Sequence, residues 1–239
     1  MEWTKAVEDY LKAIYKLQAQ ESLTNASLAE RLGVSAASVS AMVKRLEGAE
    51  LLDRSSPRAL ALTGRGEAEA LRVIRRHRII ETFLHRFLDV PWDEVHDEAE
   101  VLEHAISDRL EDRMAKALGH PVRDPHGDPI PPKDGAHHES WPQALDDAPA
   151  ASWFLVERVS DREAEVLRYL AELGLVPGAV VHVEERLPFG GPLWIQIDDE
   201  RRPLGAVLAR CVFGSCFATV DAARTAASDL AVAASEVRT

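Results

Sequence analysis

The chain is predicted to be mainly α-helical with a small β domain at its C-terminal end, on three observations. Up to about residue 118, one short hairpin apart, apolar residues recur at helical spacing. Between residues 119 and 150 that periodicity stops, in a stretch holding seven of the 13 prolines. From Trp153 onward, short apolar runs are punctuated by Pro177-Gly178 and Phe189-Gly190-Gly191-Pro192.

The first element is an amphipathic helix over residues 5–19, with Ala6, Tyr10, Leu11, Ala13, Ile14 and Leu17 at helical spacing. Ser27-Leu28-Ala29-Glu30 reads as a capping box that opens a short helix ending at Gly33. Ser35 and Ser38 then cap a helix running to about Glu47, with Val39, Met42, Val43 and Leu46 on its apolar side. Two short helices joined by Gly33-Val34-Ser35 have the form of a helix-turn-helix. Leu51–Arg54, the turn Ser55-Ser56-Pro57-Arg58 and Ala59–Thr63 read as strand, turn and strand, a hairpin placed where a wing belongs. Thr63-Gly64-Arg65-Gly66-Glu67 starts a long helix through about Leu88, and beyond Pro91 another runs from Asp93 through about Leu118. The proline-rich stretch that follows reads as a linker. Leu155-Val156, Val180–Val183 and Leu193–Ile197 read as strands of a small barrel, interrupted by a helix over about Arg162–Leu173. The Ala-rich end from Asp221 is read as helical or frayed.

At 239 residues, 46% hydrophobic and 28% charged, the chain suits one to three domains and excludes wholesale disorder. No apolar run approaches the roughly 18–20 residues that span a bilayer. Met1-Glu2-Trp3-Thr4-Lys5 lacks the shape of a secretory signal, and two cysteines make no disulfide scaffold, so a reducing cytoplasm is the expected setting. The net charge of −12 is uneven: Lys and Arg number 11 against 10 acids over residues 1–75, 8 against 15 over 76–140, and 9 against 15 over 141–239. The first third is therefore near neutral, and its cations are available to cluster.

The chemistry concentrates in His96-x-x-x-Glu100-x-x-Glu103-His104. On a helix these residues form one stripe of two imidazoles and two carboxylates, beside an apolar stripe of Val95, Ala99, Leu102, Ile106 and Leu110. Carboxylates bordering a core are costly unless paired, and a cation would neutralise them. His77 and Glu81 stand at i, i+4 on the preceding helix. A solvated acidic face with incidental histidines explains the same spacing. His85, His120, His126, His137, His138 and His182 are read as surface or linker residues. Cys211 and Cys216 read either as a redox or metal pair or as small residues in a strand–turn region. For the helix-turn-helix, a generic three-helix core explains the apolar positions. The hydroxyls of Ser35, Ser38 and Ser40, with Lys44, Arg45, Arg54 and Arg58 nearby, favour a double-stranded DNA partner instead.

With these motifs in view, the chain resembles the diphtheria-toxin-repressor and manganese-transport-regulator family of metal-dependent bacterial repressors. The resemblance rests on Glu8-Asp9-Tyr10-Leu11 with Ile14-Tyr15, Ala29–Leu32 through Val39-Ser40, Arg45-Leu46-Glu47, His77-Arg78, Val95–Ala99 and Glu103-His104. It implies a winged helix-turn-helix DNA-binding domain over residues 1–75, a helical metal-binding and dimerisation domain over 76–140, a linker over 141–152 and an SH3-like barrel over 153–239, of the type found in ferrous-iron transport proteins. It also implies a homodimeric DNA-binding regulator rather than an enzyme, activated by Mn²⁺ or Fe²⁺ and repressing metal-uptake genes.

The matching primary metal residues are Asp9, Glu100, Glu103 and His104. An ancillary set matches His77, Glu81 and His96, with Glu163 from the barrel and Asp161 or Glu165 as substitutes. Iron-type members place Met and Cys where Asp9 and Glu100 stand, and exchanging soft sulfur for hard oxygen shifts preference towards Mn²⁺. Lys12 occupies the place of a carboxylate in members with a two-metal cluster, so two separated sites are expected. In the recognition helix Ala37 and Ala41 replace bulkier family residues, leaving the operator sequence open. Two rivals stay open: a winged-helix regulator of a non-metal ligand, and a carboxylate-bridged metalloenzyme, against which the lack of paired Glu-x-x-His repeats counts.

Overall fold

The computed structural model describes residues 3–19, 23–56, 59–133 and 142–235, which form two units. The first holds the described residues up to His77 together with 131–133; the second holds 78–130 together with 142–235.

In the first unit, α1 (Lys5–Ala19) buries Val7, Leu11 and Ile14 completely. This apolar face joins Leu28 of α2 (Asn25–Leu32) and Val39, Val43 and Leu46 of α3 (Ala36–Gly48) in one core. The start of α2 differs from the sequence expectation. Thr24, not Ser27, is the N-cap: its Oγ1 accepts from the Ser27 amide at 2.9 Å, and the Ser27 Oγ accepts from the Thr24 amide at 2.8 Å. That register puts Leu23 before the cap and Leu28 at the fourth helical position, and both enter the core as a hydrophobic staple. Ser35 caps α3 as expected. The hairpin is β1 (Leu52–Ser56) antiparallel to β2 (Ala59–Leu62), followed by α4 (Gly64–Leu88), whose Ala70 and Ile74 close this core.

In the second unit, the helix expected from Asp93 to Leu118 is two: α5 (Val95–Leu102) and α6 (Asp108–Ala117). Ser107 takes extended backbone between them and caps α6, its Oγ accepting from the Leu110 amide at 3.3 Å. The apolar stripe breaks there too, since Val95 and Ala99 are fully buried but Leu110 is exposed.

The segment expected to be a linker is ordered where it is described. Asp124, His126, Asp128 and Ile130 are buried, and Arg123 bridges Pro129. Further on, β3 (Gln143–Ala144) and a 3-10 turn (Leu145–Asp147) belong to the β domain.

The remaining elements are β4 (Ser152–Val159), α7 (Ala164–Glu172), β5 (Val180–Arg186), β6 (Leu193–Ile197), β7 (Glu200–Leu204), α8 (Ala206–Ala209), β8 (Val212–Phe217) and α9 (Val220–Ser235). The strands form an antiparallel sheet in the order β3-β8-β4-β5-β6-β7. Alternate residues face its core: Val181 and Val183 on β5, and Leu193, Ile195 and Ile197 on β6. Opposite β8 the register of β4 shifts at Glu157, a bulge after which Arg158 pairs with Phe213. No helix among the described residues is long and apolar enough to cross a membrane.

Candidate metal centre and nucleic-acid interface

Glu81 of α4 is almost wholly buried, a position that a carboxylate holds only with polar partners. Two of them come from far along the chain. His126 and Asp161 bring one donor atom each, and these with a Glu81 oxygen all lie within 4.8 Å of one another. The hydrogen bonding of His126 fixes its tautomer. Its Nε2 lies 2.7 Å from the Trp92 carbonyl, which only accepts, so Nε2 donates and the lone pair of the neutral ring resides on Nδ1. Nδ1 is buried and has no hydrogen-bond partner among the described residues. A buried imidazole nitrogen with a lone pair, beside two carboxylates, fits a divalent cation.

The loop carrying His126 is built to hold it there. The Asp124 Oδ1 accepts from the His126 and Asp128 amides, each at 2.9 Å. The His126 carbonyl accepts from the Val159 amide of β4 at 2.9 Å. Gly127 sits at φ +90°, where a Cβ would come within 2.1 Å of the Glu157 carbonyl oxygen, so only glycine lets the loop lie this close to β4. Buried ion pairs complete the attachment: Arg158 to Asp128 at 2.5 Å, Arg78 to Asp128 at 3.4 Å and Arg78 to Asp124 at 3.7 Å.

The electrostatics favour added positive charge. Burial, then the neighbouring charges of Asp128 and Glu81, push the Asp124 carboxyl well above its ordinary range despite Arg78 and His126. Burial alone would lower His126, but Glu81, Asp124 and Asp161 outweigh it and raise the imidazole.

His96 of α5 borders the same group. Its Nδ1 is 3.2 Å from Glu81 Oε1 and 3.3 Å from Asp161 Oδ2, and its Nε2 is 3.7 Å from Glu100 Oε1. Glu103 and His104 lie beyond α5 rather than on one helix with His96, because α5 ends at Leu102. Glu103 is fully buried, and its Oε1 is 3.2 Å from His104 Nε2. Asp9, on α1, is half-buried, and His77, on α4, is buried; both belong to the first unit. Glu163 is exposed at the N-terminus of α7, and Glu165 is exposed within that helix, so the barrel's contribution to the Glu81 group is Asp161. Cys211 and Cys216 are both free, with thiols raised by burial and directed at the Val207 carbonyl and the Gln143 side chain.

Sequence reasoning missed His126, placing it in a linker. The signal was there in Asp124-Pro125-His126-Gly127-Asp128, where two aspartates and a glycine mark a tight turn around a histidine.

In the first unit, α3 presents Ala37, Ser38, Ser40, Ala41, Lys44 and Arg45 to solvent, while Val39, Val43 and Leu46 anchor its other face. The exposed residues near its N-terminus are all small, so the helix can approach a groove closely. The Ser40 Oγ donates to the Ala36 carbonyl at 3.0 Å, and Ser35 and Ser38 are 2.9 Å apart through their hydroxyls. Arg54 is on β1, and Arg58 lies outside the described residues.

Comparison with known proteins matches three stretches to known families. Residues 2–60 match the iron-dependent repressor N-terminal DNA-binding domain, 63–132 the iron-dependent repressor metal-binding and dimerisation domain, and 143–215 the FeoA domain. The chain is 36% identical over 205 residues to the iron-dependent repressor IdeR of Mycobacterium tuberculosis, covering 80% of this chain and 88% of that one. It is 40% identical over 129 residues to the diphtheria toxin repressor of Corynebacterium diphtheriae, covering 53% and 57%. Among solved structures, a manganese-dependent transcriptional repressor in complex with manganese superposes with a TM-score of 0.82 at 40% identity, covering 88% of this chain and all of that one. ScaR with bound Cd²⁺ superposes with a TM-score of 0.77 at 32% identity, covering 87% and 98%.

Proposed function

The chain belongs to the iron-dependent repressor family of metal-dependent DNA-binding transcriptional regulators, and from that premise we propose that it is a homodimeric, Mn²⁺-activated repressor of metal-uptake genes. The observation that carries the metal reading is the gathering of one donor atom each from Glu81, His126 and Asp161 within 4.8 Å of one another, with the His126 Nδ1 buried and without a hydrogen-bond partner among the described residues.

When bound, a divalent ion supplies positive charge and oxygen- and nitrogen-directed bonds. Glu81, His126 and Asp161 would hold one ion, with the Arg78 and Arg158 pairs keeping the His126 loop against β4. Glu100, Glu103 and His104 would hold a second, to which the family resemblance adds Asp9; that resemblance places His77 and His96 with Glu81 instead. Every donor is an oxygen or an imidazole nitrogen. That composition suits Mn²⁺ better than a thiolate set would, although Fe²⁺ fits it also.

On the DNA side, Ser35, Ala37, Ser38 and Ser40 would meet base edges or phosphates. Lys44, Arg45, Arg54 and Arg58 would neutralise phosphates. In a dimer, two α3 helices would read half-sites about one helical turn, roughly 34 Å, apart. A ligand activates only as far as it prefers the DNA-competent arrangement, and a coupling of about 1–3 kcal/mol corresponds to a gain of roughly 5–150-fold.

The test is a duplex selected from a random library by the Mn²⁺-loaded protein, then titrated with loaded and chelator-treated protein at fixed salt. Tighter binding by at least several-fold with Mn²⁺ is expected. Equal affinity with and without metal refutes the reading, and in favour of a non-metal regulator if specific binding persists.

A further inference from the structure

Residues 2–60 match a DNA-binding domain, so the open question about α3 is which base edges its outer face can read. Val39, Val43 and Leu46 anchor the helix in the core. With 3.6 residues per turn, Ser40, Lys44, Ala37 and Ala41 then fall within an arc of about 100° on the side away from that core. All four are exposed.

The donor inventory of this face is short. From Ala36 to Val43 no side chain carries a nitrogen, so the stretch has no amide, guanidinium or ammonium group. The Ser40 Oγ donates its single hydrogen to the Ala36 carbonyl at 3.0 Å, and towards a groove it only accepts. Ser35 and Ser38 are 2.9 Å apart through their hydroxyls, and the Ser35 Oγ also accepts from the Ser38 amide as the helix cap. One hydroxyl hydrogen is left between these two, at the helix start, where a phosphate is met. Guanine shows two acceptors in the major groove, N7 and O6, and is recognised by donors; thymine is set apart by its C5-methyl group. Residues 37–41 therefore hold nothing that recognises guanine, and they hold two alanine methyls.

Resting on the DNA reading proposed above, we infer that Ala37 and Ala41 are specificity-determining residues that pack on the C5-methyl groups of two thymines in each half-site. The alanines are about 6 Å apart along the helix, at 1.5 Å per residue, and successive bases rise about 3.4 Å, so the two thymines are one or two steps apart. No guanine is required at either position. Because neither side chain extends beyond Cβ, α3 must lie close to the bases to make these contacts, and any larger residue would hold it away. Burying one methyl corresponds to about a fourfold gain in affinity, so the same methyl in both half-sites corresponds to about fifteenfold.

The experiment uses the full chain loaded with Mn²⁺ and a duplex that it selects from a random library. Each thymine of the half-site is replaced in turn by deoxyuridine, which removes the methyl and leaves every hydrogen-bonding edge intact. Two thymines, one or two steps apart, are expected to respond, each by about fifteenfold when both half-sites are changed. Replacing either by cytosine should weaken binding further, and 5-methylcytosine should recover part of that loss, since the methyl returns on a different edge. Ala37→Gly is expected to abolish the deoxyuridine response at one of the two positions and Ala41→Gly at the other, with thermal unfolding confirming that both variants fold. The substitutions in the duplex test the wild-type protein and depend on neither variant.

No response to deoxyuridine at any thymine, equal binding of cytosine and 5-methylcytosine duplexes, or responses unchanged in both folded glycine variants overturns the inference and leaves the DNA reading intact. Failure of the loaded protein to enrich any duplex from the library overturns that reading and the inference together.

Discussion

Replacing Arg158 by leucine removes one side of a buried ion pair and leaves the other in place. The Arg158 and Asp128 side chains are 5% and 3% exposed and meet at 2.5 Å, so the charge left on Asp128 is shielded from water. Its remaining cation is Arg78 at 3.4 Å, which is shared with Asp124 at 3.7 Å and the Pro129 carbonyl at 2.6 Å. Breaking a buried pair by removing one partner costs about 3–5 kcal/mol, and the residual Arg78 contact places this case near the lower figure. For a unit of this size about 3 kcal/mol corresponds to a fall in Tm of roughly 6–12 °C. The effect should reach the Glu81 group, because the loop that Arg158 secures also presents His126. The assay is thermal unfolding of metal-free Arg158→Leu, with Mn²⁺ titration alongside. Adding Asp128→Leu should recover at least about 1 kcal/mol of the loss, as residues in one network are not additive. A single-mutant cost below about 1 kcal/mol, or a double mutant as unstable as the sum of its parts, would refute the claim that this pair secures the loop.

Three further outcomes are expected. Thr24→Ala should cost about 1 kcal/mol in urea unfolding by loss of the α2 cap, whereas Glu30→Ala, expected from sequence to share that cap, should cost no more than about 0.5 kcal/mol; the reverse order would restore the Ser27–Glu30 reading. Lys44→Ala should weaken binding to all duplexes alike and reduce the slope of log affinity against log salt by about 0.9, and an unchanged slope would remove Lys44 from the phosphate contacts. Asp146 pairs with Arg186 at 2.9 Å and Arg210 at 3.0 Å; burial raises its carboxyl, but the two arginines together hold it below the ordinary value. A depressed folded-state pKa gives stability that is present above the unfolded value of about 3.9 and lost as pH falls through the folded one. Asp146→Asn should therefore cost about 1 kcal/mol at neutral pH, both arginines being substantially solvated, and the gap from wild type should close below about pH 4. A gap that stays constant with acidification would show that the charge is not responsible.

What could be read directly from the sequence was whatever is local. The face of α1 and the anchors of α3 announce themselves through i, i+3, i+4 spacing, and Gly33 and Ser35 mark the turn between the two helices. His96, Glu100, Glu103 and His104 stood out for the same reason. What the sequence concealed depends on partners far along the chain. The loop around His126 has no apolar repeat because its order comes from the Asp124 carboxylate, from Arg78 and from β4. Two strands were hidden by their own composition. β7 reads Glu200-Arg201-Arg202-Pro203-Leu204, with a proline tolerated because β7 is at the sheet edge. β8 is interrupted by Gly214, where a Cβ would fall 1.8 Å from the Leu155 carbonyl oxygen.

The same long-range dependence bears on how the β domain is understood. An appendage would leave the helical part's polar groups satisfied without it. Here β4 supplies the Val159 amide to the His126 carbonyl, Arg158 to the buried Asp128, and, just beyond its end, Asp161 to the group around Glu81. Three consecutive kinds of contact, backbone, ion pair and donor atom, thus come from residues 158–161. A change in how β4 meets the loop at 123–129 must alter the Glu81 group, since its imidazole and one of its carboxylates are held from that strand. On the metal reading proposed above, the β domain would influence the affinity of this group without a separate ligand-binding surface, through the chain segments that carry its donors.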